Sequence, residues 1–271
     1  MTTDIPELAA FVLLGFFENF DVLLLVMVRM LAFFLLVPVL AGATTPVMVR
    51  VMLAFAVSYM VFMTGAIGEI TYTPNMIGYF ELVMTEFVAG ILMGFMVYMA
   101  FAIIFFVGQI IDYQIGFMMA SLFDPISQIQ VPVVGNLLYF VMMALFVVSG
   151  GLAELIAAVM LSYGMAPIGE IFILENNVLL LYCLSVFLSY FLIALQFALP
   201  VTGSILIVDV MLGILVKAVP QMNIFVVGMP LKTCLGLTIL WFITPIFATY
   251  YYVVYEQAAN AMMAVIGGLT P

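Results

Sequence analysis

The chain contains no histidine and only four lysines and arginines. Without an imidazole there is no Ser-His triad, no histidine-held metal and no HExxH protease helix. Fourteen acids outweigh the four bases to give a formal charge of −10, which argues against nucleic acid as a partner. No GxxxxGK[ST] stretch occurs, so any energy input comes from elsewhere. The two cysteines, Cys183 and Cys234, fall in different apolar runs and read as buried thiols rather than a disulfide. No base precedes Arg29, so the start does not read as a secretory signal. No convincing internal repeat is visible.

Charged residues make up only 7% of the chain, far too few to cover a soluble surface. Hydrophobic residues make up 68%, and many runs exceed the roughly 20 residues that cross a bilayer. The fold class is therefore all-α: a polytopic membrane protein of long kinked helices and helical hairpins, packed into a larger helical assembly. Residues 1–271 read as one integral-membrane domain. Alternating ten-residue segments, the mark of a membrane barrel, are missing.

In order, the sequence predicts an interfacial helix interrupted by Glu18, Asn19 and Asp21, then a span near 22–40 that ends at Pro38. A short apolar segment, 51–66, follows a Gly/Thr/Pro turn. Segment 76–108 carries Glu81, Glu86 and a GxxxG pair, Gly90 and Gly94, which sit on one face where another backbone can approach. Residues 109–132 are more polar and read as a loop, with an apolar Phe/Met patch at 117–123. Segment 133–163 contains Glu154. Segment 178–216 is long enough to be a hairpin at Pro200 or one kinked rod about 58 Å long. The last segment, 233–255, is kinked at Thr244-Pro245.

If each long segment crosses once, Arg50, Lys217 and Lys232 share one side. Asp4, Glu7, Glu69, Glu170, Glu175 and Glu256 share the other. The positive-inside rule makes the first side cytoplasmic. A hairpin at Pro200 breaks this pattern.

Charges inside apolar runs are costly and default to function. Here they include Arg29, Glu81, Glu86, Glu154 and Asp209. One reading is an ion relay. The other is structural: Arg29 pairs with an acid on another helix, and the remaining acids face water or a neighbouring subunit. The patch at 117–123 likewise reads as a re-entrant segment or as a hydrophobic plug that blocks water by dewetting. The turn at 213–232 is bracketed by Lys217 and Lys232 and punctuated by Pro220, Gln221, Asn223, Gly228 and Pro230.

Residues 217–230, KAVPQMNIFVVGMP, resemble the signature of the FliR family of flagellar export-gate proteins, which is shared with the export-gate subunits of type III secretion injectisomes. A second match runs from Asp112 to Pro132, with Gly116 and the Asp124-Pro125 step. Length and segment order also fit. The resemblance implies a non-enzymatic subunit, present once in a spiral gate with several copies of FliP-like and FliQ-like membrane subunits. It implies a place in the bacterial inner membrane at the flagellar basal body, unfolded substrates in transit, and no cofactor or metal. The family's plug maps onto Gly116, Phe117, Met118, Met119, Leu122, Phe123, Asp124 and Pro125. The Lys217–Lys232 turn becomes a contact for other gate subunits or export-apparatus proteins. The residues alone leave a proton- or ion-coupled secondary transporter open, and rank an intramembrane enzyme well below it.

Overall fold

A computed structural model describes residues 20–42, 45–64, 76–119, 132–168, 177–221 and 223–267. The expected interfacial helix around Glu18 and the turn at 65–75 lie outside the described residues. The regular elements are helices: α1 (Phe20–Leu36), α2 (Pro38–Ala41), α3 (Val47–Thr64), α4 (Met76–Ile115), α5 (Val133–Val148), α6 (Gly151–Met165), α7 (Asn177–Ala218) and α8 (Ile224–Gly267). A single 3-10 turn, Phe117–Met119, follows α4, and no strand occurs among the described residues. Among the described residues four helices are long and apolar enough to cross a membrane, or five spans if α5 and α6 count as one broken crossing.

Several boundaries differ from the sequence reading, each for a local reason. Helix α4 runs on to Ile115, so the first part of the expected 109–132 loop is helical. It stops at Gly116, whose φ of +94° suits a residue without a Cβ. The expected single segment 133–163 is broken at Ser149-Gly150, where Gly150 has φ +77°. The long segment around Pro200 is one helix and not a hairpin. Hydroxyls near the proline bond back to the helix, Thr202 to the Ala198 carbonyl and Ser204 to that of Pro200. Helix α8 begins at Ile224, ahead of Pro230, and continues to Gly267, past Glu256. Helix α7 ends at Ala218, so the two helices together take up most of the 213–232 stretch.

The helices gather into two compact units made of non-contiguous stretches. The first contains α1, α2, α3, α4 up to Val97, α6 from Ala153 and the end of α8 from Ala261. Its centre is apolar, with Leu25, Val26, Met30, Phe33 and Phe34 buried. The glycine pair of α4 works here. Gly90 lies against the Arg29 carbonyl and Ala32, and Gly94 against the Phe33 carbonyl and Leu36, all on α1. A methyl at Gly94 would stand 2.9 Å from the Phe33 oxygen, inside any real Cβ contact.

The second unit contains α4 from Tyr98, α5, most of α7 and α8 up to Asn260. Edge-to-face ring pairs fill it, including Phe101 on Phe146 and Phe197 on Phe247. Its long helices keep much apolar surface uncovered: Leu181 is 63% and Ile214 65% exposed, on the same helix. Those positions are about 50 Å apart at 1.5 Å per residue, against a hydrocarbon core of about 30 Å. Of the two free cysteines, Cys234 is exposed on α8 and Cys183 half-buried, so the buried-thiol reading does not hold for Cys234.

Candidate functional site

The described feet of the two signature patches meet within the second unit. Tyr113, Gln114, Ile115 and Gly116 at the end of α4, Asp209, Leu212 and Gly213 on α7, and Gly228, Met229 and Lys232 on α8 line a cavity of about 290 Å³. The Thr233 hydroxyl donates to the Ile115 carbonyl at 3.4 Å. Gly236 sits directly against Ile115, because a Cβ there would overlap the isoleucine side chain. Small residues let α8 approach the end of α4 at the point where the candidate plug begins.

Lys232 Nζ forms an ion pair with Asp209 Oδ1 across this cavity. One of the two lysines that bracket the signature is thus turned inward onto α7. Lys217, Pro220, Gln221 and Asn223 are exposed at the turn, together with apolar Val219 and Val226. Gly228 is buried and Pro230 exposed on α8. Lys232→Gln is expected to cost on the order of 0–1 kcal/mol, as for other part-exposed pairs. Lys232→Asp is expected to be worse, because two carboxylates then face each other, and Asp209→Lys in the same chain to recover the loss. Thermal unfolding of the purified protein and its double-mutant cycle checks this, and additive losses would show the two residues are not coupled.

Of the candidate plug, Gly116 turns the chain out of α4, and Phe117 and Met118 are half-buried. The side chain of Met119 and residues Leu122, Phe123, Asp124 and Pro125 lie outside the described residues. Asp112, which the sequence reading places in a loop, is fully buried on α4. Its carboxylate accepts the N–H groups of Val134 and Gly135 at 3.0 and 3.1 Å.

The intramembrane charges separate into distinct settings. In the first unit Arg29 and Glu86 are fully buried and paired two-pronged, Nε to Oε2 at 2.6 Å and Nη2 to Oε1 at 2.9 Å. Two further guanidinium N–H groups donate to Ser162 Oγ at 3.1 Å and the Ala166 carbonyl at 3.0 Å. The Tyr163 ring lies under the cation at 4.1 Å, and its hydroxyl donates to the Val26 carbonyl. Both carboxylate oxygens of Glu86 are thus taken up by Arg29. Glu81 and Glu154 are exposed on their helices. Neither Ser162 nor Tyr163 is flagged by the sequence, since a Ser-Tyr step in an apolar helix is unremarkable until Arg29 is placed beside it.

No group of three or more metal-ligating side chains occurs among the described residues. Comparison with known proteins gives one family. The model for bacterial export proteins, family 1, matches residues 20–258. The flagellar biosynthetic protein FliR of Bacillus subtilis is 31% identical, covering 82% of this chain and 86% of that protein. FliR of Escherichia coli is 26% identical over 90% of this chain and 92% of its own length. The surface presentation of antigens protein SpaR of Shigella sonnei is 27% identical over 84% and 88%. With the match spanning nearly the whole chain and both signature patches inside it, this chain belongs to the bacterial export proteins of family 1, alongside the FliR proteins.

Proposed function

We propose that the chain is the single-copy core subunit of a flagellar type III protein export gate. It forms part of the pore through which unfolded substrates cross the bacterial inner membrane at the flagellar basal body. Its neighbours are FliP-like and FliQ-like membrane subunits, and its part is structural, not catalytic. The observation that carries this reading is the convergence of the two signature patches, far apart in sequence, around one cavity on a chain that matches FliR proteins over 82% and 90% of its length. The uncovered apolar length of α7 supports neighbours other than lipid.

The seal falls to the segment Gly116–Pro125, whose apolar side chains close the pore by dewetting until a passing chain displaces them. The turn with Lys217, Pro220, Gln221 and Asn223 meets the other gate or export-apparatus proteins. Native mass spectrometry of the gently extracted protein tests the assembly: one copy with several small membrane partners is expected. A lone monomer under conditions that keep membrane complexes intact would favour a transporter instead. The closure of Glu86 by Arg29 takes one acid out of such a transporter's path. An injectisome gate subunit is the nearest relative of this reading, and complementation of motility separates the two.

The seal has its own test. Glycine at Met118, Met119 and Leu122 together is expected to make the assembled gate leak small ions at least several-fold while the complex still forms. A tight gate would remove the plug from this segment.

A further inference from the structure

Within the second unit, helices α4 and α7 leave a slot of about 250 Å³ between them. Met99, Ala102 and Phe106 of α4 line one side, and Phe187, Tyr190 and Phe191 of α7 the other. The phenylalanines form a continuous wall. The Phe191 ring lies 6.1 Å from that of Phe106 and 6.5 Å from that of Phe187. Phe106 and Phe187 also reach the surface, so the slot is open to whatever surrounds the helices.

One polar group belongs to this apolar lining. Tyr190 is only 1% exposed, and its hydroxyl has no hydrogen-bond partner. A buried hydroxyl left unpaired is costly. Water is a poor answer, since a buried water needs several polar partners and the other side chains here are apolar. The fitting occupant is apolar along most of its length and carries a hydrogen-bond acceptor.

Two observations choose between a lipid chain and a neighbouring helix. Helices in membranes approach one another through small residues. Here the exposed edge is bulky, with Phe106, Phe187 and, beside them on α7, Leu184 and Leu188. A helix, about 10–12 Å across, is held off by such an edge, whereas a single hydrocarbon chain slips past it. The second observation is position along α7. Asp209, paired with Lys232, lies 19 positions beyond Tyr190, or about 28 Å of helix. A hydrocarbon core is about 30 Å thick. With the ion pair at one boundary of that core, Tyr190 falls at the other, the depth where tyrosines collect and lipid esters lie.

We propose that the slot binds one acyl chain of a membrane phospholipid, whose ester carbonyl accepts the Tyr190 hydroxyl. The proposal goes beyond the gate reading and does not depend on it. It needs only that α7 crosses a membrane.

The test uses the full chain, purified with whatever subunits stay bound, in vesicles of phosphatidylethanolamine and phosphatidylglycerol. A trace of the phosphatidylethanolamine carries a photoactivated diazirine on one acyl chain. After illumination, peptide mapping is expected to find label on residues 99–106 and 187–191 several-fold above that on the exposed Leu206 and Ile207. Ala102→Trp fills the slot and is expected to remove this excess while leaving Leu206 and Ile207 unchanged. Tyr190→Phe keeps the shape and is expected to lower the excess about five-fold, the value of one hydrogen bond. A probe with ether-linked chains has no carbonyl. It is expected to lose as much with the parent protein and nothing further with Tyr190→Phe. If Ala102→Trp does not accumulate, Ala102→Leu decides by the same readout. Equal label on the slot and the open surface, or an excess that survives a filled slot, overturns the proposal. An unlabelled slot overturns it in favour of a neighbouring subunit's side chain. An excess indifferent to both Tyr190→Phe and the ether probe overturns the ester contact.

Discussion

Glu86→Ala is expected to abolish accumulation of the folded protein. The change leaves the Arg29 guanidinium fully buried with its carboxylate gone. Removing one partner of a buried pair costs about 3–5 kcal/mol. That is a large share of a total stability of about 5–15 kcal/mol. The Ser162 and Ala166 contacts do not compensate, because they satisfy hydrogen bonds and carry no opposing charge. Arg29→Lys is expected to fail nearly as badly, since an ammonium cannot reach both carboxylate oxygens, the serine and the carbonyl in one planar fork. The informative variant is the double replacement of Arg29 and Glu86 by methionine. It removes both charges at similar volume and is expected to recover most of the loss. The amount of monodisperse protein recovered in detergent, and its loss on heating where any is recovered, measures all three. A Glu86→Ala chain as stable as the parent would mean that the pair is hydrated in the membrane.

Gly90→Val is expected to be the next most damaging single change. A side chain at this position runs into the Arg29 carbonyl and the Ala32 methyl. Backbone on the neighbouring helix cannot swing aside as a long side chain can. Overpacking costs about 1–3 kcal/mol where neighbours relax, and more where they cannot. The displacement is doubly harmful because Arg29 is the residue pushed, so the charge pair moves with the helix. Gly94→Val is expected to follow the same course against Phe33 and Leu36. Gly164 supplies the contrast: it is exposed near the end of α6 with no atom within 4 Å of a built Cβ. Gly164→Ala is expected to be neutral or slightly stabilising, as Ala outranks Gly in helices by up to about 1 kcal/mol. Thermal midpoints of the three variants side by side test the crossing. A Gly90→Val protein as stable as the Gly164→Ala protein would exclude it.

What could be read in advance was whatever depends on local chemistry. Apolar run length found α4, α7 and α8, and the Gly90–Gly94 spacing marked a helix crossing. Boundaries failed where a residue's polarity was answered by a distant partner. Asp112 looks like a loop residue because nothing nearby explains a buried carboxylate, and its explanation is the bare start of α5, 22 positions on. Ser149-Gly150-Gly151 did carry a break signal that the apolar run overrode. So did Asn223, a favoured helix-capping residue immediately before α8. The choice of Glu86 as Arg29's partner was not legible at all. Several acids were available, and only packing selects among them. The signature turn was legible as a turn, but the inward aim of Lys232 depends on where α7 places Asp209.

The uncovered length of α7 has a consequence for the life of the protein in the cell. A newly inserted chain with no neighbours presents a greasy rod longer than the bilayer is thick. It must lean far over, thin or thicken the lipid around it, or leave bare leucine and isoleucine in water. Each of these is a conspicuous state for proteases and chaperones that patrol the membrane. In the proposed gate, neighbouring subunits would cover the rod. If the proposed gate subunits are what cover it, the level of this subunit is expected to fall when they are absent.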